Sequence, residues 1–591
     1  MTEKMKLRNI LILTAAVTGS ALSSCDYTDL SPLDSFTDES FWTTPNDLKL
    51  YANGLYGIMS SPTATGDRQS DNCVPNSYDG YLFNEYTVPD AASSGNGWYW
   101  NDIRSCNYFL QRYQKVTGSE EEINKYVGEV RFFRSILYYS KIRMFGDVPW
   151  YEKDLSTGDT EELFKARDSR DYVLGKIIED LEFAVQNLPE AGNEEKGRIN
   201  KDAARTQLAR VCLYYGTYKK YHNESNGSIS AADLLKKAAD VTDTMINSGK
   251  YEIVKGDDAG CGQSAYEGYP LYYSNQFVQE DLSGNKEAIL CRYYTTGVLT
   301  HETGRQVGQN GVGLSKDFVE SFLMKDGTPI YNAGSGYQGD EDQEAEFAGR
   351  DPRIYQIIDN VHKPYAVQNG ERESHVGNVN SNQGVTGYPC VKFRSADTKQ
   401  AEARNTSYDW FVYRYAEVLL INAEAKAELG LCTQDVLDKT INQLRDRVDM
   451  AHLTVNPVAD AQPIDYGYQL SNLLYEIRRE RRIELVAEDF RMDDLKRWNA
   501  MKLLENPKTM FGLKITPTII ATYAKQNVTF DGEGGRPTVE YQGDRYLYQY
   551  ATSKAINDAG RKWSANDRRW LYPLPTNELT LNPNLTQNPG W

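Results

Sequence analysis

The sequence predicts a predominantly α-helical protein, a core of helical hairpins carrying a large irregular, loop-rich lobe with short strands. Three observations predict it. Apolar residues recur at three- and four-residue steps through 121–249 and again through 413–504. Between about 252 and 410 the texture changes to Gly, Asn and Tyr, broken by short strand-like runs. At 591 residues the chain is long enough to bury one large core with a sizeable lobe beside it.

The elements follow in order. Lys4, Lys6 and Arg8 precede the apolar run Ile10–Val17 and then Leu22-Ser23-Ser24-Cys25. A basic head, an apolar stretch too short to span a bilayer and small residues before a cysteine describe an export signal over 1–24. The cysteine resembles the acylated residue of a bacterial lipobox, so Cys25 is expected to carry the lipid that tethers the mature chain to a membrane. Each buried CH₂ adds about 0.8 kcal/mol, so several acyl chains anchor without crossing. Residues 25–40 are polar and aperiodic, a flexible tether, and 41–591 is expected to form one domain. Its helical core falls at about 41–60, 101–250 and 411–504, and its irregular lobe at about 61–100, 251–410 and 505–591.

In Glu121–Phe145 the stripe Ile123, Tyr126, Val130, Phe133, Leu137 and Met144 predicts a helix stopped by Gly146 and Pro149. Tyr172–Leu188 follows, ended by Pro189. Asn200 caps a third helix and Ser230 a fourth, closed by Gly249. The short polar loop at 223–228 makes these two an antiparallel hairpin. The pattern recurs at Tyr413–Leu429 and Val436–Val448, and Ser471 opens a long charged helix reaching about Leu504. Pairs of this size suggest a tetratricopeptide-like stack, although no fixed-period signature repeats and spacing alone reaches only helical hairpins. In the lobe, Ala288–Tyr294 reads as a strand.

Charge and cysteines narrow the function. Removal of 1–24 takes Lys4, Lys6, Arg8 and Glu3 and moves the net charge from −18 to −20. Without a basic stripe, such a surface argues against nucleic acid as a partner. Seven scattered cysteines beyond Cys25 include no C-x-x-C pair, so buried free thiols are expected rather than a disulfide framework or zinc site. No nucleophile, zinc-protease or phosphate-loop motif is present, and no cofactor or metal is expected. Asp340–Glu344 lacks the glycine and terminal glutamate of a calcium loop and reads as a solvated acidic loop. Glu417, Glu424, Glu480 and Glu484 lie beside apolar helix stripes with arginines nearby, and read as interhelical ion pairs rather than acid–base catalysts.

Binding residues are sought in the aromatic loops. Forty-two tyrosines and nine tryptophans exceed what a helical core requires. In Ser94-Gly95-Asn96-Gly97-Trp98-Tyr99-Trp100-Asn101, three adjacent rings cannot all face one core, because neighbouring side chains of extended backbone point apart. An exposed indole matches the apolar face of a sugar ring, and covering about 50–100 Å² of it contributes about 1–2.5 kcal/mol. Two or three such platforms correspond to dissociation constants of roughly mM to tens of μM. Trp98, Trp100 and Asn101 are therefore the leading ligand residues. Asp71, Asn72 and Tyr78, in the preceding polar loop, and Tyr294 and Tyr337 are further candidates.

Several segments together resemble the SusD/RagB family of outer-membrane nutrient-binding lipoproteins. They are Glu39-Ser40-Phe41-Trp42-Thr43-Thr44 leading into Leu48–Tyr56, Glu129-Val130-Arg131-Phe132-Phe133-Arg134 running to Phe145-Gly146-Asp147-Val148-Pro149, and Arg414-Tyr415-Ala416-Glu417-Val418-Leu419-Leu420. Ile477–Leu485, Leu571-Tyr572-Pro573-Leu574-Pro575 and Gln587–Trp591 complete the series, in order over the whole mature chain. The resemblance implies a tetratricopeptide-like core with an irregular ligand lobe. It also implies a non-enzymatic, surface-exposed subunit that captures oligosaccharide or polysaccharide and caps a TonB-dependent, SusC-like transporter. It supports the loop around Trp98–Asn101 as part of the glycan site. Two other functions compete: a peptide- or protein-capturing relative on the same scaffold, and a surface glycoside hydrolase.

Overall fold

In the computed structural model, helices are set first by local signals. The structure describes residues 38–591, apart from 65, 226, 257–262, 308, 375–376, 378, 380–383, 554–556 and 558–559. The export signal, Cys25, most of the tether and Cys261 lie outside the described residues. The last tether residues already belong to the body: Asp38 begins the short helix Asp38–Phe41 and accepts hydrogen bonds from Trp42 Nε1 and Tyr108 Oη at 2.8 and 2.9 Å.

The named helices are α1 (Pro45–Asn53), α2 (Asn101–Arg112), α3 (Glu120–Phe145), α4 (Arg170–Asn187), α5 (Lys201–Tyr221), α6 (Ala231–Asn247), α7 (Tyr415–Glu428), α8 (Gln434–Lys439), α9 (Ile441–Arg447), α10 (Asn472–Glu484) and α11 (Arg491–Arg497). Asn200, Ser230 and Ser471 accept from the backbone N–H three residues on, capping α5, α6 and α10. Gly146, at φ +71°, closes α3 in a conformation that glycine tolerates best. The helices pack as neighbours in a row, α1 and α2 on α3, then α4, α5, α6 and α7, with α10 against α7. Their facing stripes bury Val130, Phe133, Ile177, Leu181, Leu208 and Leu419 in one apolar core.

Two expected helices are broken, each for a visible reason. The one read over 436–448 divides at Thr440, whose hydroxyl donates back to the Val436 carbonyl at 2.5 Å. The charged helix expected to reach Leu504 stops at Glu484 and restarts as α11. Between them Ala487 and Asp489 take φ of +64° and +67°. The buried Asp67 carboxylate accepts from Ala487 N–H at 2.8 Å, and Gly66 lies so close that an added Cβ would overlap the Ala487 carbonyl. A loop some 420 residues away thus dictates the break.

Among the described residues the strands form four two-stranded antiparallel sheets. β1 (Cys73–Pro75) pairs with β3 (Val312–Leu314), and β2 (Ala288–Arg292) with β6 (Trp410–Arg414). β4 (Ala366–Gln368) pairs with β5 (Glu371–Glu373), and β7 (Thr538–Tyr541) with β8 (Asp544–Leu547). β6 runs straight into α7, which joins the strand-bearing lobe to the helical core. Two further apolar cores fill that lobe, one around Phe318, Phe322 and Ile354, the other around Trp498, Leu504 and Phe511. Of the described cysteines, Cys73, Cys106, Cys212 and Cys291 are buried, Cys390 and Cys432 half-buried, and all are free thiols.

Candidate functional site

Where α7, α9 and α10 meet, the charged residues of the sequence converge. Glu484 touches Arg414 at 2.8 Å, Arg353 at 3.1 Å, and Arg447. Glu480 binds Arg353 and Arg445 at 2.6 and 3.0 Å, and Glu287 binds Arg414 and Arg447 at 2.9 and 3.0 Å. Burial by itself would raise the Glu484 carboxyl, but Arg447, Arg414 and Arg353 override it and hold it well below the usual carboxylate range. Glu424 is likewise held down to about 2 against its burial, chiefly by Arg497 at 2.6 Å, and it accepts from Trp498 Nε1 at 2.7 Å. Glu417 forms a two-pronged pair with Arg210 at 2.6 and 2.7 Å. Glu424, Glu480 and Glu484 are held in the carboxylate form, and all five glutamates are buried and occupied by arginines. A general acid needs a proton and a route to substrate, and here neither is provided.

The loop before α2 has a different character. Asn96 Oδ1 accepts from Ser93 N–H at 3.1 Å and Trp98 N–H at 3.2 Å, and Gly97 turns the chain at φ +78°. Alternation then sorts the rings. Trp98 is only 1% exposed, its ring edge-on to Phe145 at 4.9 Å; Tyr99 is 38% exposed; Trp100 is half-buried. Trp100 stands edge-on to Trp98 at 5.3 Å and Tyr151 at 5.5 Å. Lys141 donates to the Gly97 carbonyl at 2.6 Å and lies 5.2 Å from the Trp100 ring; burial pushes its ammonium down to about 8.

Trp98 and Trp100 line an open cleft of about 530 Å³ between the start of α2, the segment 149–155, Leu163–Phe164 and the C-terminal helix Thr576–Leu581. Trp100 and Tyr151 form one wall, and Leu163, Phe164 and Leu581 form an exposed apolar rim, Leu581 being 67% exposed. Polar groups are spaced among them. Arg104 is solvated and bound to Asp154 at 2.7 Å, Lys153 to Asp159 at 3.2 Å, and Glu578 lies on the helix opposite. Asn107, at the base, donates to the Tyr151 carbonyl at 2.8 Å and accepts from Arg134 at 3.0 Å.

The other sequence candidates fall elsewhere. Asn101 opens α2, exposed and outside the cleft wall. Asp71 and Asn72 are buried, against the expectation that they face a ligand. Asp71 is gripped by Arg491 at 2.7 and 2.8 Å, while Asn72 donates to Asp67 at 2.9 Å and accepts from Arg482 at 2.7 Å. Tyr78 is exposed on its loop, edge-on to Phe83. Tyr294 is buried, edge-on to His301, because the strand-end backbone is pinned by Asp409 at 2.8 Å. Tyr337 is half-buried beside Tyr331, with Arg350 5.4 Å from its ring. None of these joins Trp98 and Trp100 in the cleft. Tyr151, Leu163, Phe164 and Leu581 escaped the sequence reading; the available signal was an apolar Leu163-Phe164 pair standing outside any helical stripe.

Asp340 pairs with Lys316 and Lys514 at 2.8 and 3.4 Å, and Asp342 caps the short helix Gln343–Phe347. Among the described residues no cluster of three or more His, Cys, Asp or Glu is arranged to hold a metal ion. Among them, too, no helix is long and apolar enough to cross a membrane.

Comparison with known proteins places this architecture. Residues 263–591 match the model of the SusD family, and residues 34–213 match a model described as "Starch-binding associating with outer membrane". SusD-like protein P2 of Formosa agariphila is 22% identical over 528 residues, covering 86% of this chain and 92% of its own. A SusD-like protein of Bacteroides fragilis superposes with a TM-score of 0.65 at 24% identity, covering 95% of this chain and all of its own. A SusD-like carbohydrate binding protein of the same organism gives 0.64 at 21% identity, over 92% of this chain and all of its own. With more than half its length matched by the family model and its row of helices shared with these structures, the chain belongs to the SusD family.

Proposed function

We propose that this protein is a non-enzymatic, lipid-anchored glycan-binding protein of the outer-membrane surface, which captures oligosaccharides and passes them to a TonB-dependent, SusC-like transporter. The observation that carries the reading is the Trp100 indole, presented with Tyr151 in an open cleft and flanked by Arg104, Lys153 and Glu578. Apolar ring faces beside spaced charged groups match the two faces of a sugar, C–H patches and hydroxyls. The names of relatives that bind carbohydrate or starch support the same ligand class.

Calorimetric titration with a panel of oligosaccharides tests it. Trp100→Ala is expected to weaken binding about 5- to 70-fold, the loss of about 1–2.5 kcal/mol of stacking. Unchanged affinity in that variant removes Trp100 from the site. Binding without product release is expected, and hydrolysis of a panel glycan by the purified protein overturns the non-enzymatic assignment. Radiolabelled palmitate is expected to enter the wild-type chain and not Cys25→Ser, and co-purification of a barrel transporter tests the partner. The exposed Leu163, Phe164 and Leu581 favour one second reading, a peptide with apolar side chains, which retention from a peptide library would establish.

A further inference from the structure

A second cleft, of about 480 Å³, shares no lining residue with the first. It lies between α10, the end of the short helix Lys316–Glu320, the segments 460–466 and 502–508, and the turn joining β7 to β8. Its floor is one face of α10, carrying Arg478, Arg479 and Arg482. The charges there cancel in pairs. Arg479 binds Asp460, Arg482 binds Asp317 at 2.8 Å, and Lys508 binds Glu320 at 2.8 and 2.9 Å. Arg478 is engaged from behind the cleft by Glu428 at 3.2 Å and Tyr468 at 2.9 Å.

Two donors are left over, the Nε of Arg478 and the Nη1 of Arg482. Arg482 is 4% exposed, and its Nη1 is buried with no hydrogen-bond partner among the described residues. Both atoms are closed off from solvent, so the cleft meets a ligand with its charges already paired. The rim supplies the complementary surface. Tyr331 is 36% exposed, Tyr475 and Tyr541 are half-buried, and Gln462 and Gln542 offer solvated amides.

We propose that this cleft is a second binding site, taking one or two units of an uncharged oligosaccharide. An apolar ligand strips water from the guanidiniums and carboxylates of the floor and offers them no hydrogen bond in return. An anion meets Asp317, Glu320 and Asp460, whose cations are already engaged, and a cation meets three arginines. Sugar hydroxyls bond the solvated Gln462 and Gln542 amides, while tyrosine rings cover the C–H faces.

Deuterium exchange read by mass spectrometry tests the proposal on the full protein. The probes are uncharged gluco-, manno-, galacto- and xylo-oligosaccharides, with oligogalacturonate as the anionic arm. At least one uncharged probe is expected to slow exchange across 460–466 and 502–508, equally in low and high salt. Protection there is expected to persist in Trp100→Ala, so that failure of the first site and failure of this one are read separately. Tyr331→Ala, a change at the exposed rim, is expected to weaken that protection about tenfold, the loss of one stacking platform, and Gln542→Ala less. The proposal is overturned if no uncharged probe protects these segments, if oligogalacturonate does so in a salt-sensitive way, or if Tyr331→Ala changes nothing.

Discussion

The seam around Glu484 and the cleft around Trp100 are built from residues that look equally functional in a sequence, and they do opposite work. At the seam, carboxylates and guanidiniums are withdrawn from water and satisfy one another at 2.6–3.1 Å across α7, α9 and α10. Taking two charges out of water costs several kcal/mol each, and their mutual attraction repays that only with good geometry, so the seam specifies register more than it adds stability. At the cleft, an indole, a phenol ring and three apolar rim residues stay in contact with water, where each uncovered Å² of apolar surface holds about 25 cal/mol for whatever covers it. The same chemistry gives architecture when its partners come from the chain and binding capacity when they do not.

Five substitutions break or sharpen that contrast. Glu484→Ala strands three buried arginines and is expected to cost about 3–5 kcal/mol, read as a large fall in the denaturant midpoint. A variant as stable as wild type would show the seam to be dispensable. Trp98→Ala, inside the same loop as Trp100, is expected to cost about 3 kcal/mol of stability by opening a cavity against Phe145. Trp100→Ala should leave the thermal midpoint nearly in place while glycan affinity falls; equal destabilisation by both would erase the distinction between the two indoles. Gly66→Ala forces a Cβ onto the Ala487 carbonyl and is expected to cost about 2 kcal/mol, with the largest rise in hydrogen exchange across 485–491. Tyr99→Ala is the smallest: its exposed ring touches neither region, and stability should stay within about 0.5 kcal/mol with binding unchanged.

Acid provides a separate probe of the seam. Glu424 has its pKa lowered from 4.5 to about 2, so it contributes stability above about 4.5 that disappears as pH falls towards 2. A midpoint that rises over that interval would contradict the pairing with Arg497.

Much of the helical core was legible because its signals are local. Asn200, Ser230 and Ser471 each meet a backbone N–H three residues ahead, and the stripes of α3 and α4 place side chains on one face through helical geometry alone. The candidate site was legible only in part. Alternation required Trp98, Tyr99 and Trp100 to diverge, but which ring turned inward depended on Phe145 and Lys141, far along the chain. Asp71 and Asn72 read as solvent-facing loop residues because Arg491 and Arg482, which bury them, lie more than 400 positions away.

The sequence by itself determined where helices start, that arginines and glutamates would share the interhelical seam, and which family the chain resembles. Those features rest on interactions within three or four residues, or on motifs written out in the letters. Tertiary structure alone decided that the charged helix breaks at Leu485–Phe490, that Trp98 packs while Trp100 faces a cleft, and that Leu163, Phe164 and Leu581 gather beside it. Exposure is a property of what lands on a residue from elsewhere in the chain, and no local pattern encodes it.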